Sequence, residues 1–97
     1  MTLNKIDEAT VKEIIRELES EGKGLWLKIN YELQDDFTFL LVTIDIPRYS
    51  DEDIIQRICN ILRSTVGGKV PAKEHGYSWM GNIYIAGKLI ESVMSDI

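Results

Sequence analysis

The stretch "FTFLLVTIDI", residues 37–46, decides the fold because it reads as a β-strand with two apolar faces. At a period of two residues, one face carries Leu40, Val42, Ile44 and Ile46, and the other carries Phe37, Phe39, Leu41 and Thr43. A strand that is half in water usually alternates apolar with polar residues. This strand therefore predicts more apolar sheet surface than one layer of helices covers.

The segment before it, "LWLKINYEL" at residues 25–33, predicts the partner strand. Leu25, Leu27, Ile29, Tyr31 and Leu33 alternate strictly with Trp26, Lys28, Asn30 and Glu32. The polar tripeptide "QDD" at residues 34–36 separates the two strands and predicts a short hairpin turn.

Amphipathic helices are predicted on either side of this hairpin. Val11, Ile14, Ile15 and Leu18 have helical spacing over residues 7–21, with Asn4 or Asp7 as the cap and Gly22 or Gly24 as the stop. Pro47 closes the second strand, and the Ser50-x-x-Asp53 spacing of a capping box then starts a second helix. Its core stripe contains Ile54, Ile55, Ile58, Ile61 and Leu62, and Gly67-Gly68 ends it.

The C-terminal third supplies the rest of the sheet. Residues 77–85, "YSWMGNIYI", alternate as a third strand with a bend or bulge at Gly81. The tail from Leu89 to Ile97 favours a helix, and a hairpin turn at "IAGKLIE" into a fourth strand is the alternative. The prediction is a single α+β domain over residues 1–97: a two-layer sandwich with amphipathic helices on one face of a small, mainly antiparallel sheet, in the order α-β-β-α-β-α.

Charge and composition narrow the function classes. The net charge is −5, and residues 1–53 carry 13 acids against 6 bases. That balance disfavours binding to phosphate backbones and favours basic partners. No window is apolar enough to span a membrane, the N-terminus lacks a leader pattern, and a single cysteine precludes an internal disulfide. These features predict a soluble cytoplasmic protein.

No motif assigns a catalytic residue, a metal or a cofactor. Gly81 and Gly87-Lys88 miss the phosphate-loop spacing, and Leu89 stands where its hydroxyl would be. The acids at 35–36 and 51–53 lack the spacing of a cation loop, and Cys59 reads as a packing residue. A small enzyme that uses His75, assisted by Glu74 or Tyr77, remains an alternative.

A protein-binding surface is the favoured interpretation. The predicted contact residues combine aromatic anchors with an acidic rim. They are Trp26, Glu32, Asp35, Asp36, Phe37, Phe39, Tyr77 and Trp79. Tyr84 falls on the opposite strand face from Tyr77 and Trp79, so the aromatics do not form a base-stacking platform and nucleic acid is disfavoured.

The expected activity is stoichiometric inhibition or neutralisation of a basic protein. Bacterial toxin-immunity proteins are similar in size, acidity and lack of catalytic motifs, which is a likeness of composition alone. Self-association that closes the second sheet face is a further alternative. In that case the chain is a structural homo-oligomer.

Overall fold

The computed structural model describes residues 5–47, 51–73 and 76–95 and has an α+β fold. Within these described ranges, two helices and four strands follow one another. They are α1 (Glu8–Glu21), β1 (Lys28–Gln34), β2 (Phe39–Ile46), α2 (Glu52–Thr65), β3 (Trp79–Ile85) and β4 (Lys88–Met94). The predicted class and the predicted order of the first five elements are confirmed.

The four strands form one mixed sheet in the order β1-β2-β3-β4. β1 pairs antiparallel with β2, and β3 pairs antiparallel with β4. β2 and β3 run parallel, because the chain returns through α2 between them. The sheet is therefore mainly antiparallel with one parallel pair at its centre, and β1 and β4 are its edges.

The favoured prediction of a C-terminal helix is wrong, and the strand alternative holds. Ala86 and Gly87, with φ of 50° and 81°, form a two-residue turn that sends the chain back along β3. The apolar spacing of the tail also suits a strand with one irregularity. A register shift between Ile83 and Tyr84 leaves Ile90 as the extra residue of β4, and the bend predicted at Gly81 lies here instead.

The strands of the N-terminal hairpin are shorter than predicted. Residues 25–27 form a turn before β1, in which Trp26 has a φ of 59°. Residues 35–38 form the hairpin turn, and Asp35, Asp36 and Phe37 have φ of 51°, 55° and 67°. Both Trp26 and Phe37 thus leave the strands to which periodicity assigned them.

Aspartates cap both helices. The Asp7 Oδ1 accepts a hydrogen bond from the Ala9 N–H at 3.3 Å, and the Asp51 Oδ1 accepts one from the Ile54 N–H at 3.0 Å. The predicted caps Asn4 and Ser50 lie outside the described residues. For α2, Asp51 performs the role that the capping box assigned to Ser50.

The core lies between the helices and one side of the sheet. Val11, Ile14 and Leu18 of α1 and Ile58 and Leu62 of α2 are buried in the same cluster as the alternate residues of β2. The members that the sheet contributes are Leu40, Val42, Ile44, Ile46, Trp79, Ile83 and Val93. The opposite side of the sheet is called the open face below.

Candidate functional site: the margin of strand β1

Five of the eight predicted contact residues lie along β1 and its two flanking turns. Trp26 stands in the turn before β1, Glu32 is on the strand, and Asp35, Asp36 and Phe37 form the turn after it. All five side chains are exposed. We call this set the β1 margin. These residues are near one another in the chain, and they line one edge of the sheet because no other strand of the described residues pairs with the outer side of β1.

Trp26 is the most exposed large hydrophobic side chain of the described residues, with 74% of its surface in water. The chain reaches it through a tight turn in which Gly24 has a φ of 92° and the Leu25 N–H donates to the Gly22 carbonyl at 3.0 Å. The indole borders a shallow depression lined by Glu19, Gly22, Lys23, Gly24 and Leu27. A left-handed backbone conformation is unfavourable for tryptophan, and a side chain that is so little buried offsets little of this cost by packing.

Phe37 sits in a turn of three consecutive left-handed residues. The Thr38 N–H donates to the Gln34 carbonyl at 3.2 Å, and the Thr38 hydroxyl donates to the Asp35 carbonyl at 2.6 Å. The Phe37 carbonyl accepts from the N–H of the buried Ile6 at 2.6 Å, which ties the segment before α1 to this turn. The Phe37 ring remains 47% exposed.

The acids of the margin differ in their partners. Asp36 Oδ2 lies 3.1 Å from the Lys5 Nζ, and both side chains are mostly in water, so the pair contributes little stability. Glu32 and Asp35 form no ion pair with another described residue. Their charges remain available to a partner in solution.

Phe39 and Tyr77 lie beyond the margin, where β2 and β3 begin. Phe39 is on the open face, and the Lys73 Nζ stands 5.7 Å from its ring centroid, within cation–π range. Tyr77 precedes β3 and is 37% exposed. Strand pairing places Leu41 and Met80 together on the open face, with Met94 paired to Met80. Phe39, Leu41, Met80 and Met94 thus share one end of this face.

The placement of Trp79 on the contact surface is wrong. Trp79 pairs with Leu40 on the helix side of the sheet and is only 3% exposed. Its ring packs beside Gly67, where a Cβ added to the glycine would stand 3.7 Å from the Trp79 Cζ2. Trp79 is therefore a core residue, because the register of β3 against β2 turns it toward α2.

The open face is less apolar than the sequence predicted. Pairing across β2, β3 and β4 aligns Thr43, Asn82 and Ser92 in a polar row, in which the Ser92 hydroxyl donates to the Asn82 Oδ1 at 2.7 Å. β1 adds only polar and charged side chains to this face: Lys28, Asn30, Glu32 and Gln34. Of the apolar residues predicted for the second face of the "FTFLLVTIDI" strand, Phe39 and Leu41 lie here, whereas Phe37 lies in the turn after β1, at the opposite end of that strand from Trp26.

A cavity of about 280 Å³ lies where α2 ends beside β3 and β4. Val70, Ala72 and Ser78 line it together with Arg63 and Ser95, and in the sequence Ala72 and Ser78 flank positions 74–77 of the enzyme alternative. The Ser95 Oγ accepts from the Ser78 N–H at 2.9 Å, and the Ser78 Oγ has no hydrogen-bond partner among the described residues. Arg63 is the one ionisable side chain of this described lining, and a guanidinium is not a general base. Glu74 and His75 lie outside the described residues.

Cys59 lies on the buried side of α2, as predicted for a packing residue. Burial, followed by the negative charge of Glu91, raises the pKa of its thiol above the ordinary value of 9.0. The thiol is therefore protonated at neutral pH and is a poor nucleophile.

Sequence reasoning missed the exposed apolar residues of β4, which are Leu89, Ile90 and Met94. The sequence "KLIESVM" contains these apolar residues, but the predicted C-terminal helix assigned them to one apolar helical stripe.

The described residues contain no group of three or more side chains suited to holding a metal ion. Within them, neither helix has the length and apolar character needed to cross a membrane.

Comparison with protein-family models, with curated proteins and with solved structures gives no match for this chain.

Proposed function

We propose that this chain is a protein-binding module that contacts a basic partner stoichiometrically through the β1 margin. The observation that supports the proposal is the state of Trp26 and Phe37: both aromatics are exposed, and both have left-handed backbone conformations. Such a conformation costs a residue with a Cβ roughly 1–2 kcal/mol. Backbone strain of this kind concentrates at functional sites, and exposed aromatics are common binding anchors.

The two anchors fit within one contact area. β1 has seven residues, and at about 3.3 Å per residue it separates Trp26 from Phe37 by roughly 20 Å. A standard interface buries about 800 Å² on each partner, which corresponds to a patch about 30 Å across. A single partner of ordinary size therefore reaches both aromatic rings and the acids between them.

Electrostatics favour a basic partner. The first 53 residues carry 13 acids and 6 bases, and the margin itself carries Glu32, Asp35 and Asp36. Charge complementarity raises association rates and selects against acidic partners. Phe39 and Tyr77 extend the contact beyond the hairpin turn. In this proposal the chain is an inhibitor or immunity-type protein of the cytoplasm, and its two-layer sandwich serves as a rigid support for the margin.

Capture from a lysate of the source cell tests the proposal. The immobilised chain is compared with a Trp26→Ala/Phe37→Ala variant and with a Leu89→Ala control, whose side chain is 50% exposed on the opposite edge strand. We expect a basic protein that the wild type and the control retain at low salt and that the double variant loses. Retention by the double variant, or no saturable partner at low salt, would contradict the proposal.

Tryptophan fluorescence then gives a direct reading with the purified partner. Trp79 is buried and Trp26 is exposed, so acrylamide quenches mainly Trp26 in the free protein. The partner should protect this emission from acrylamide. A Trp26→Phe variant, which retains Trp79, supplies the buried-tryptophan baseline. Binding without protection of Trp26 would place the interface elsewhere.

A further inference from the structure

The two edges of the sheet expose different side chains. β1 exposes one large hydrophobic residue, Tyr31, among charged and polar neighbours. β4 exposes three: Leu89 at 50%, and Ile90 and Met94 at 42% each. Proteins usually protect an edge strand with charges, prolines or a covering segment, because its unpaired backbone groups recruit another strand. From Leu89 to Met94 the single charged residue is Glu91.

The backbone of β4 has donors and acceptors directed away from β3. The Ser95 N–H donates to the Trp79 carbonyl at 3.1 Å, which identifies Ser95 as a residue whose backbone points toward β3. Successive residues of an antiparallel strand alternate in this respect. The backbone groups of Met94 and Ser92 therefore point outward, toward the free edge.

We propose that β4 pairs antiparallel with β4 of a second copy of this chain, across a two-fold axis at Ser92. This register places the two Ser92 residues opposite each other, so that their outward backbone groups bond. Counted along the chain, it also brings Ile90 of each copy level with Met94 of the other, so the exposed apolar residues meet twice, with Ile90 contributing as the extra residue of the β4 irregularity.

Charge disfavours a neighbouring register. An axis at Glu91 would bring two carboxylates directly opposite each other, and like charges so placed are destabilising. With the axis at Ser92, Glu91 of one copy faces Val93 of the other. The strand is thus complementary to itself under two-fold rotation, as an isologous contact requires, and this favours a second copy over an unrelated strand.

The resulting dimer is independent of the proposed binding function. Three strand spacings of about 4.8 Å separate β4 from β1, so the β1 margin stays open in each copy. The overlap covers about five residues per strand, which belongs to the class of small, weak interfaces. Each dimer would present two β1 margins to its partners.

Cysteine cross-linking tests the register in the full chain. Ser92→Cys brings two thiols to the axis at a Cα separation near 5.5 Å, within disulfide range. Glu91→Cys is the matched control, since the proposed register does not oppose the two copies of residue 91. We expect the Ser92→Cys variant to form a disulfide dimer about tenfold faster than the control. Cys59 is buried and adds little background. Equal rates, or no Ser92→Cys dimer, would overturn the proposal.

Sedimentation over protein concentrations from about 10 µM to 1 mM tests the dimer itself. Ser92→Pro removes an outward N–H, which an edge strand tolerates, together with the exposed Ser92 hydroxyl that bonds Asn82, and it should abolish dimerisation while leaving the fold intact. Ile90→Lys should weaken dimerisation about tenfold because two apolar pairs are lost, whereas Asn30→Lys on β1 should not change it. A wild type that stays monomeric, or a dimer indifferent to both β4 variants, would overturn the proposal. Binding of a foreign strand at β4 without self-association would overturn it as well.

Discussion

Replacing Gly81 with alanine tests how closely α2 packs on the sheet. A Cβ on Gly81 would stand 2.8 Å from the Cδ1 and 3.1 Å from the Cδ2 of Leu62. Leu62 is fully buried, so its side chain has little room to retreat. Overpacking of this kind costs about 1–3 kcal/mol. Alanine in a strand recovers roughly 0.5–1 kcal/mol relative to glycine. We expect Gly81→Ala to lower the free energy of unfolding by about 1–2 kcal/mol.

The double variant with Leu62→Ala separates the clash from other causes. Leu62→Ala alone removes a buried side chain and should cost about 2–5 kcal/mol. With Leu62 shortened, the new methyl group occupies vacated space and the clash disappears. Gly81→Ala/Leu62→Ala should therefore be at least as stable as Leu62→Ala alone, with a coupling energy of about 1–3 kcal/mol.

Urea denaturation followed by circular dichroism measures all four members of this cycle. Gly87→Ala is the control. Gly87 has a φ of 81° and open space around it, so alanine at this position should lower stability through backbone strain and not through a steric clash. Its cost should add to that of Leu62→Ala without coupling. Additivity within about 0.5 kcal/mol for the Gly81 cycle would refute the close-packing argument.

Three further predictions concern single residues. Ala86→Asn should raise the free energy of unfolding by about 1 kcal/mol in thermal denaturation, because asparagine tolerates the left-handed conformation of this exposed turn better than alanine; a loss of stability would contradict it. Asp51→Ala should cost about 1 kcal/mol by removing the α2 cap, whereas Asp51→Asn should cost much less; equal losses would show that the charge matters more than the hydrogen bond. Burial raises the pKa of Cys59 in the folded state, so the unfolded thiol ionises first, and stability should fall as the pH rises above 9.0 and through the folded pKa. Cys59→Ala should remove that part of the pH dependence, and identical profiles for the two proteins would contradict it.

Local structure was predictable where one short-range pattern dominated. The stripe of Val11, Ile14 and Leu18 predicted α1 to within a residue, and the hairpin turn weighed as an alternative at "IAGKLIE" is formed by Ala86 and Gly87. Strand starts were less accurate, because apolar alternation continues through Trp26 and Phe37 although the backbone turns there. Periodicity records which residues are apolar and does not record where positive φ values interrupt a strand.

The candidate site was predictable in its residue types and only partly in its arrangement. Trp26, Phe37 and the neighbouring acids are exposed on the β1 margin, whereas Trp79 is in the core. Sequence alternation placed Tyr77 and Trp79 on one face but could not state which face meets the helices. That depends on Trp79 pairing with Leu40 across a parallel junction, which is formed by segments more than 30 residues apart.

The amino-acid sequence alone determined the two helices, the hairpin, the acidic N-terminal half and the aromatic composition of the surface. These properties arise from residues that are close together in the chain. Tertiary structure alone decided that the C-terminal segment is a strand, that β1 and β4 are the edges and that Trp79 points inward. The physical reason is that strand pairing and sidedness depend on contacts between distant segments. The same apolar residues satisfy a helix or a strand until a neighbouring strand fixes their register.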